Sequence, residues 1–429
     1  DSYGRSSKLA VLQAPRILSR LTPVPKEVSG HSFGFMILGS ILNNGVGELF
    51  PGMTVTGIYQ FRVTRNSDLF VDEEEVTDLR EALRGELSQR QFGDAVRLEV
   101  SDNMPEEVVH RLLSEHRLTE QDCYRVKGPV NLVRLMSLPD LIDLPGLKFP
   151  AYTPVYPANF SAQQPFEVIA KSDLLVHHPY ESFSTVTDFI AAAASDPAIV
   201  AISMTIYRTG QTSEIMESLI TAARSGKEVT AVVELMARFD EETNISWASR
   251  LENVGAHVVF GVVGNKTHAK MCLVVRREKT GLKRYVHFGT GNYHPRTARL
   301  YTDFGLFTAD PTLCAEAHEV FHQLTGLGKA RPLSKLWQSP FTLHSQIIKA
   351  IRREITIAKS GGRGVVIAKM NSLVEPEVIE ALYKAGQAGV RVDLIVRGVC
   401  MLRPGIKGLS ENIRVRSVIG QFLEHSRIF

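Results

Sequence analysis

One helix-and-strand unit is written twice in this sequence. Residues 214–234 (EIMESLITAARSGKEVTAVVE) lie over residues 377–397 (EVIEALYKAGQAGVRVDLIVR) without a gap. Glu214, Glu217, Leu219, Ala222, Gly226, Val229 and Val233 fall on Glu377, Glu380, Leu382, Ala385, Gly389, Val392 and Val396. Each copy has apolar residues at helical spacing, a glycine where a helix stops, and a short apolar run suited to a buried strand. Any helix-glycine-strand unit matches another at some of these positions, but the identities in register favour duplication. A chain built on two such units is committed to an α/β class of fold.

The text around the first copy extends the pattern. A helix from about Ser182, a strand over Ile199–Ile206, a helix from Ser213 and a strand over Glu228–Leu235 predict a largely parallel sheet. Before it, residues 144–165 are proline-rich and aperiodic, the mark of an extended linker. The first 150 residues mix a strand over Thr54–Arg65, a helix over Glu75–Arg90 with Val76, Leu79, Leu83 and Leu87 on one stripe, and a strand over Val96–Val100. The expected organisation is an α+β head domain over 1–150, a linker over 151–165, and two tandem α/β domains over 166–330 and 331–429, related by duplication.

Composition narrows the function. With 429 residues and 44% hydrophobic content the chain can bury several cores. The 49 basic and 46 acidic residues leave a net charge of +3, so there is no global signature of nucleic-acid binding, and any site for a polyanion must be local. Cys123, Cys272, Cys314 and Cys400 show neither paired nor zinc-type spacing, which fits a reducing cytoplasm. No apolar run reaches the roughly 18–20 residues that span a bilayer. The chain opens on Asp1 and stops at Phe429 as an apolar stretch begins, and we expect it to be part of a longer polypeptide.

Each repeat leads to a His-x-basic triplet: His268-Ala269-Lys270 after the first and His425-Ser426-Arg427 after the second. Imidazole is a nucleophile at neutral pH and can carry a phosphoryl group, while a nearby cation offsets charge on the phosphoryl oxygens. If His268 opens a strand, Lys270 points to the same side, and His425 is expected to face it as acid, base or phosphate ligand. A lone His-x-Lys is ordinarily a surface pair; the second triplet is what raises its weight. Arg208 and Arg238 lie just past strand ends, and Arg397 occupies the matching place in the second copy, opposite Glu234. Their ordinary readings are a solvated loop for Arg208, an ion pair with Asp240, Glu241 or Glu242 for Arg238, and a surface arginine for Arg397. The Gly289-Thr290-Gly291-Asn292 turn offers backbone N–H groups to an anion, although a bare glycine turn is weak as a signal.

The stretches HHPYESF, TIYRTG, VELMARFDEETNI, VGNKTHAKMCLVVRRE, YVHFGTGNYHPRTARLYTDFGLFT, AKMNSLVEPEVIEAL, LIVRGVCMLRPG and FLEHSRIF carry a resemblance to the type 1 polyphosphate kinase family. Its two C-terminal domains are related to the phospholipase D fold. The resemblance implies reversible transfer of the ATP γ-phosphate to inorganic polyphosphate. His268 matches the histidine that becomes phosphorylated, with Lys270 beside it. Arg208 and Arg238 match the magnesium–phosphate site, acting through phosphate oxygens because a guanidinium has no free lone pair. Tyr301, Arg397 and His425 match nucleotide-contacting positions, and Asn292 falls in a turn similar to the Gly-Ser-x-Asn of phospholipase D-like proteins. Further implications are Mg2+ as cofactor, ATP, ADP and polyphosphate as partners with no nucleic acid, homo-oligomers, and a cytoplasmic place with peripheral contact at the inner face of the membrane. Val275 stands where a phospholipase D-like diesterase has an Asp, which speaks against the rival reading of diester cleavage. The other rival is a polyanion-binding module without catalysis.

Overall fold

The computed structural model describes residues 9–15, 17–66, 93–235, 237, 240–262, 265–326 and 332–429. They fall into two compact units, one from the chain before Pro150 and one from Ala151–Phe429.

In the first unit β1 (Leu21–Val24) pairs antiparallel with β2 (Gly34–Ile37). β3 (Phe61–Arg65) pairs antiparallel with β4 (Ala95–Ser101), which pairs parallel with β5 (Cys123–Val126). The helix Glu106–His116 places Val109, Leu112 and Leu113 on one stripe, and they bury against Leu98, Val100 and Met104. The strand expected from Thr54 begins only at Phe61, because β4 offers ladder partners from Phe61↔Val100 to Arg65↔Ala95 and, before them, a single bond from Ser101 N–H to the Gln60 carbonyl at 2.9 Å. The helix expected over Glu75–Arg90 lies outside the described residues.

The second unit contains β6 (Leu174–His178), β7 (Ile199–Ile206), β8 (Glu228–Val233), β9 (His257–Val259), β10 (Met271–Glu278), β11 (Gly281–Gly289) and β12 (Tyr301–Thr308). It continues with β13 (Val365–Met370), β14 (Arg391–Val396), β15 (Ile413–Arg416) and β16 (Leu423–Glu424). One sheet runs β16-β12-β11-β10-β7-β8-β9, with β6 also on β12; a smaller sheet runs β13-β14-β15. The large sheet is mixed, which corrects the expectation of a largely parallel one. Strands joined by helices, β7 to β8 and β8 to β9, are parallel. β10 and β11 close at Glu278↔Gly281, a tight hairpin that can only be antiparallel, and β10 also runs antiparallel to β7.

The two copies of the repeat fold alike. The helices Glu214–Arg224 and Pro376–Gln387 each cross between parallel strands, β7 to β8 and β13 to β14. Both end on a glycine in the left-handed region, Gly226 at φ +79° and Gly389 at φ +86°. The residue after each glycine donates to the equivalent carbonyl, Lys227 to Ala222 at 3.2 Å and Val390 to Ala385 at 3.0 Å. No described helix is long and apolar enough to cross a membrane.

Candidate active site at one edge of the large sheet

Strand direction decides what meets at this edge. β7 and β8 run toward it, β10 runs away from it, β11 returns and β12 leaves again. The segments after Ile206 and Val233, before Met271, after Gly289 and before Tyr301 therefore converge, and they carry most of the chemistry singled out above. β16 adds His425 by pairing parallel with the start of β12.

His268 sits on the irregular segment before β10 and is exposed. The segment is pinned on both sides of it: Thr267 N–H donates to Glu234 Oε2 at 2.7 Å, and Ala269 O accepts from Thr205 Oγ1 at 2.7 Å. The ring stands edge-on to Tyr207 with centres 4.9 Å apart. Partial burial of the ring, then the Lys270 ammonium, push its pKa down to about 4, with Arg427, His425 and Arg208 adding to the effect. At neutral pH the imidazole keeps a free lone pair.

His268 and Lys270 precede β10, which begins at Met271, so the strand alternation used to place them on one face does not apply, although both side chains lie against the Tyr207 ring. Lys270 is buried, 5% exposed, and its Nζ turns back to donate to the His268 carbonyl oxygen while lying 4.7 Å from the Tyr207 ring centre. Burial, then the Arg427 guanidinium, push its pKa down to about 7.

The second triplet repeats this arrangement. Arg427 Nη1 donates to the His425 carbonyl at 2.8 Å, as Lys270 does to that of His268. It also donates to His425 Nε2 at 3.1 Å. On the other side of the ring His425 Nδ1 donates to Asp303, 2.9 and 3.0 Å from the two carboxylate oxygens. These partners assign the Nδ1–H tautomer and leave Nε2 as the nitrogen turned toward cations. Asp303 is 4% exposed and also accepts from Thr290 Oγ1 at 2.6 Å. Sequence reasoning missed Asp303; its only signal was a carboxylate inside a strand with buried neighbours.

The remaining expected residues are distributed as follows. Tyr301 is half-buried with its ring centre 5.1 Å from that of His425. Arg397 Nη1 donates to the Glu424 carbonyl at 3.2 Å and Nη2 to Asn371 Oδ1 at 2.7 Å, so it is bound into the site rather than lying loose on the surface. Arg208 Nε pairs with Asp240 at 3.0 Å, which replaces the solvated-loop reading. Arg238 lies outside the described residues. Asn292 lines a pocket of about 10 Å3 together with His178 and His287, and its Oδ1, His178 Nε2 and His287 Nε2 have no protein partner. Burial pushes the His287 pKa down to about 3, so that ring is neutral. Among the described residues no group of three or more His, Cys, Asp or Glu is placed to hold a metal ion.

Fold and site define a duplicated α/β protein in which two histidines and several cations face one sheet edge, an arrangement suited to anionic phosphate groups. Three family models match in succession: the polyphosphate kinase middle domain over 1–138, C-terminal domain 1 over 164–330 and C-terminal domain 2 over 336–429. Polyphosphate kinases of Burkholderia multivorans and Paraburkholderia phytofirmans are 60% and 59% identical over 434 residues, covering 100% of this chain and 63% of each relative. A crystal structure of polyphosphate kinase from Porphyromonas gingivalis matches 96% of this chain and 60% of its own, at 30% identity and a TM-score of 0.78. The chain belongs to the polyphosphate kinase family, and it spans less than two thirds of the length of these relatives.

Proposed function

We propose that this protein transfers the γ-phosphoryl group of ATP reversibly to inorganic polyphosphate through a phosphohistidine at His268. The carrying observation is an exposed imidazole, kept neutral at pH 7 and lying within the fields of Lys270, Arg427 and Arg208. Its relatives bear the name polyphosphate kinase, which supports the reading.

In the first step the His268 lone pair attacks the γ-phosphorus, the bond from that phosphorus to the β–γ bridging oxygen breaks, and ADP leaves with the electron pair. In the second, a terminal oxygen of polyphosphate attacks the same phosphorus and the N–P bond breaks, leaving the chain one unit longer. A phosphoanhydride is broken and another made, so the reverse reaction uses the same groups. Lys270, Arg427, Arg208 and Arg397 would counter charge on the phosphate oxygens, with Arg238 added by the family resemblance. His425, oriented by Asp303, would pass or hold a proton at Nε2, and Tyr301 would lie against the nucleotide.

The donor set suits phosphate oxygens better than a bare divalent ion, since arginine and lysine offer no lone pair to a metal. Magnesium would therefore enter as the Mg–nucleotide substrate, held by the phosphates themselves, with Arg208 and Arg238 gripping those phosphates. A cytoplasmic place, self-association and peripheral attachment to the membrane belong to the same reading and rest on the resemblance alone.

The test is incubation of the intact protein with γ-labelled ATP and magnesium, beside His268→Ala. Acid-labile, base-stable label on the parent and none on the variant is expected. A folded parent that binds polyphosphate but takes no label would instead favour a binding module.

A further inference from the structure

Lys369 lies in the small sheet, on β13, yet its hydrogen bonds go to the strap that carries His425. Its N–H donates to the Ile428 carbonyl at 2.7 Å and its carbonyl accepts from Ile428 N–H at 3.0 Å. Its ammonium, on a side chain 15% exposed, reaches Glu424 Oε2 at 2.5 Å and Ser426 Oγ at 2.6 Å. Those two residues are the neighbours of His425 on either side. Glu424 Oε2 also accepts from Thr302 Oγ1 at 3.0 Å, one residue before the Asp303 that holds the His425 ring.

We infer that Lys369 is a positioning residue for His425. Asp303, on the large sheet, fixes the ring at Nδ1; Lys369, on the small sheet, holds the side chains of the residues before and after it and the backbone of Ile428. Among the described residues the ammonium is the one side-chain group that joins both neighbours of His425 to the small sheet, so the place of Nε2 depends on both sheets at once. Glu424 would be left as a part-buried, uncompensated carboxylate without it. The role is not readable from sequence, because Lys369 stands 56 residues before His425 in a strand that reads as plain βαβ text.

The inference rests on the phosphoryl-transfer reading, and its test separates the two. Steady-state kinetics of the intact protein are compared for Lys369→Met, Lys369→Arg, His425→Ala and the double variant Lys369→Met/His425→Ala. A shift of about 1 Å in a reacting group costs on the order of 10²-fold, so Lys369→Met is expected to lower kcat by about 10–100-fold. Lys369→Arg, which keeps the charge and the reach, should recover most of the loss.

The deciding result is the double variant. If Lys369 acts through His425, its removal from His425→Ala has no further effect on the residual rate, by non-additivity within one unit. An equal fold-loss in that background, or no loss of kcat in Lys369→Met, overturns the inference. Should Lys369→Met fold poorly, Lys369→Met/Glu424→Gln removes both charges and is expected to restore folding without restoring kcat. A parent that transfers no phosphoryl group at all refutes the functional reading instead. In that event amide exchange over Glu424–Ile428 still decides the placement: faster exchange in Lys369→Met supports the strap contact, and unchanged exchange removes it.

Discussion

Lys270 gives the sharpest test of the site, because its charge state changes where phosphate arrives. Burial and Arg427 hold its pKa near 7 against an ordinary 10.5, a displacement corresponding to about 5 kcal/mol of disfavoured charge. At pH 8 such a group is only about one-tenth protonated. A polyanion placed against the ammonium supplies opposite charge and restores a high pKa. Binding of tripolyphosphate at pH 8 should therefore take up on the order of 0.8 proton per site, and less than about 0.1 at pH 6, where Lys270 is already charged. The uptake is read by titration calorimetry in buffers of different ionisation enthalpy, as the slope of observed heat against that enthalpy. Affinity should correspondingly fall as pH rises from 7 to 9, approaching about one decade per unit. Lys270→Met removes the titrating group and serves to subtract protons carried by the ligand. An uptake at pH 8 below about 0.2 proton, or the same uptake in Lys270→Met, would refute the reasoning.

Four further outcomes follow from the geometry. Asp303→Asn keeps the shape but not the carboxylate that fixes His425 Nδ1–H, and should lower kcat by about 10²–10⁴-fold in steady-state assays while the thermal melt shows a folded protein. Because the His268 pKa is depressed to about 4, formation of the acid-labile label at saturating nucleotide should show no decline as pH falls from 7 to about 5.5 and should decline only below it; a decline centred at 6.5 would contradict the burial argument. The same depression means the unfolded chain binds more protons between about 4 and 6.5, so this group costs stability as pH falls through that window, readable in denaturant midpoints. A high-resolution crystal structure should show one ordered water among His178 Nε2, His287 Nε2 and Asn292, since three buried polar atoms without protein partners surround a space the size of a water.

Much of the fold of the second unit was legible because its signals are local. The Gly226 and Gly389 stops and the apolar spacing ahead of them depend on a few neighbouring residues, and the helices and parallel strands came out where those patterns lay. Strand order was less legible. The antiparallel β10–β11 hairpin turns at Lys279-Thr280, a pair without the Asn-Gly or Asp-Gly signature, and nothing near it indicates that β10 will lie beside β7. The strand that was read from Thr54 shows the same limit, for extended text becomes a strand only where a partner is available.

The histidines were legible as triplets, but what holds them was not, because each support comes from a distant part of the chain. Asp303 gains its meaning from His425, 122 residues later. The repeat nevertheless contains a clue. Glu234 and Arg397 are equivalent positions at the ends of β8 and β14, and both hold the residue just before a histidine: Glu234 accepts from Thr267 N–H, and Arg397 donates to the Glu424 carbonyl. Opposite charges serve the same geometric purpose because one faces a donor and the other an acceptor. A search for identical residues across the copies passes over this pair, whereas a search for equivalent positions finds it. It also explains why the two triplets can sit at different distances from their repeats and still present an imidazole at the same kind of place, since each is fixed by the strand end rather than by the length of loop that leads to it.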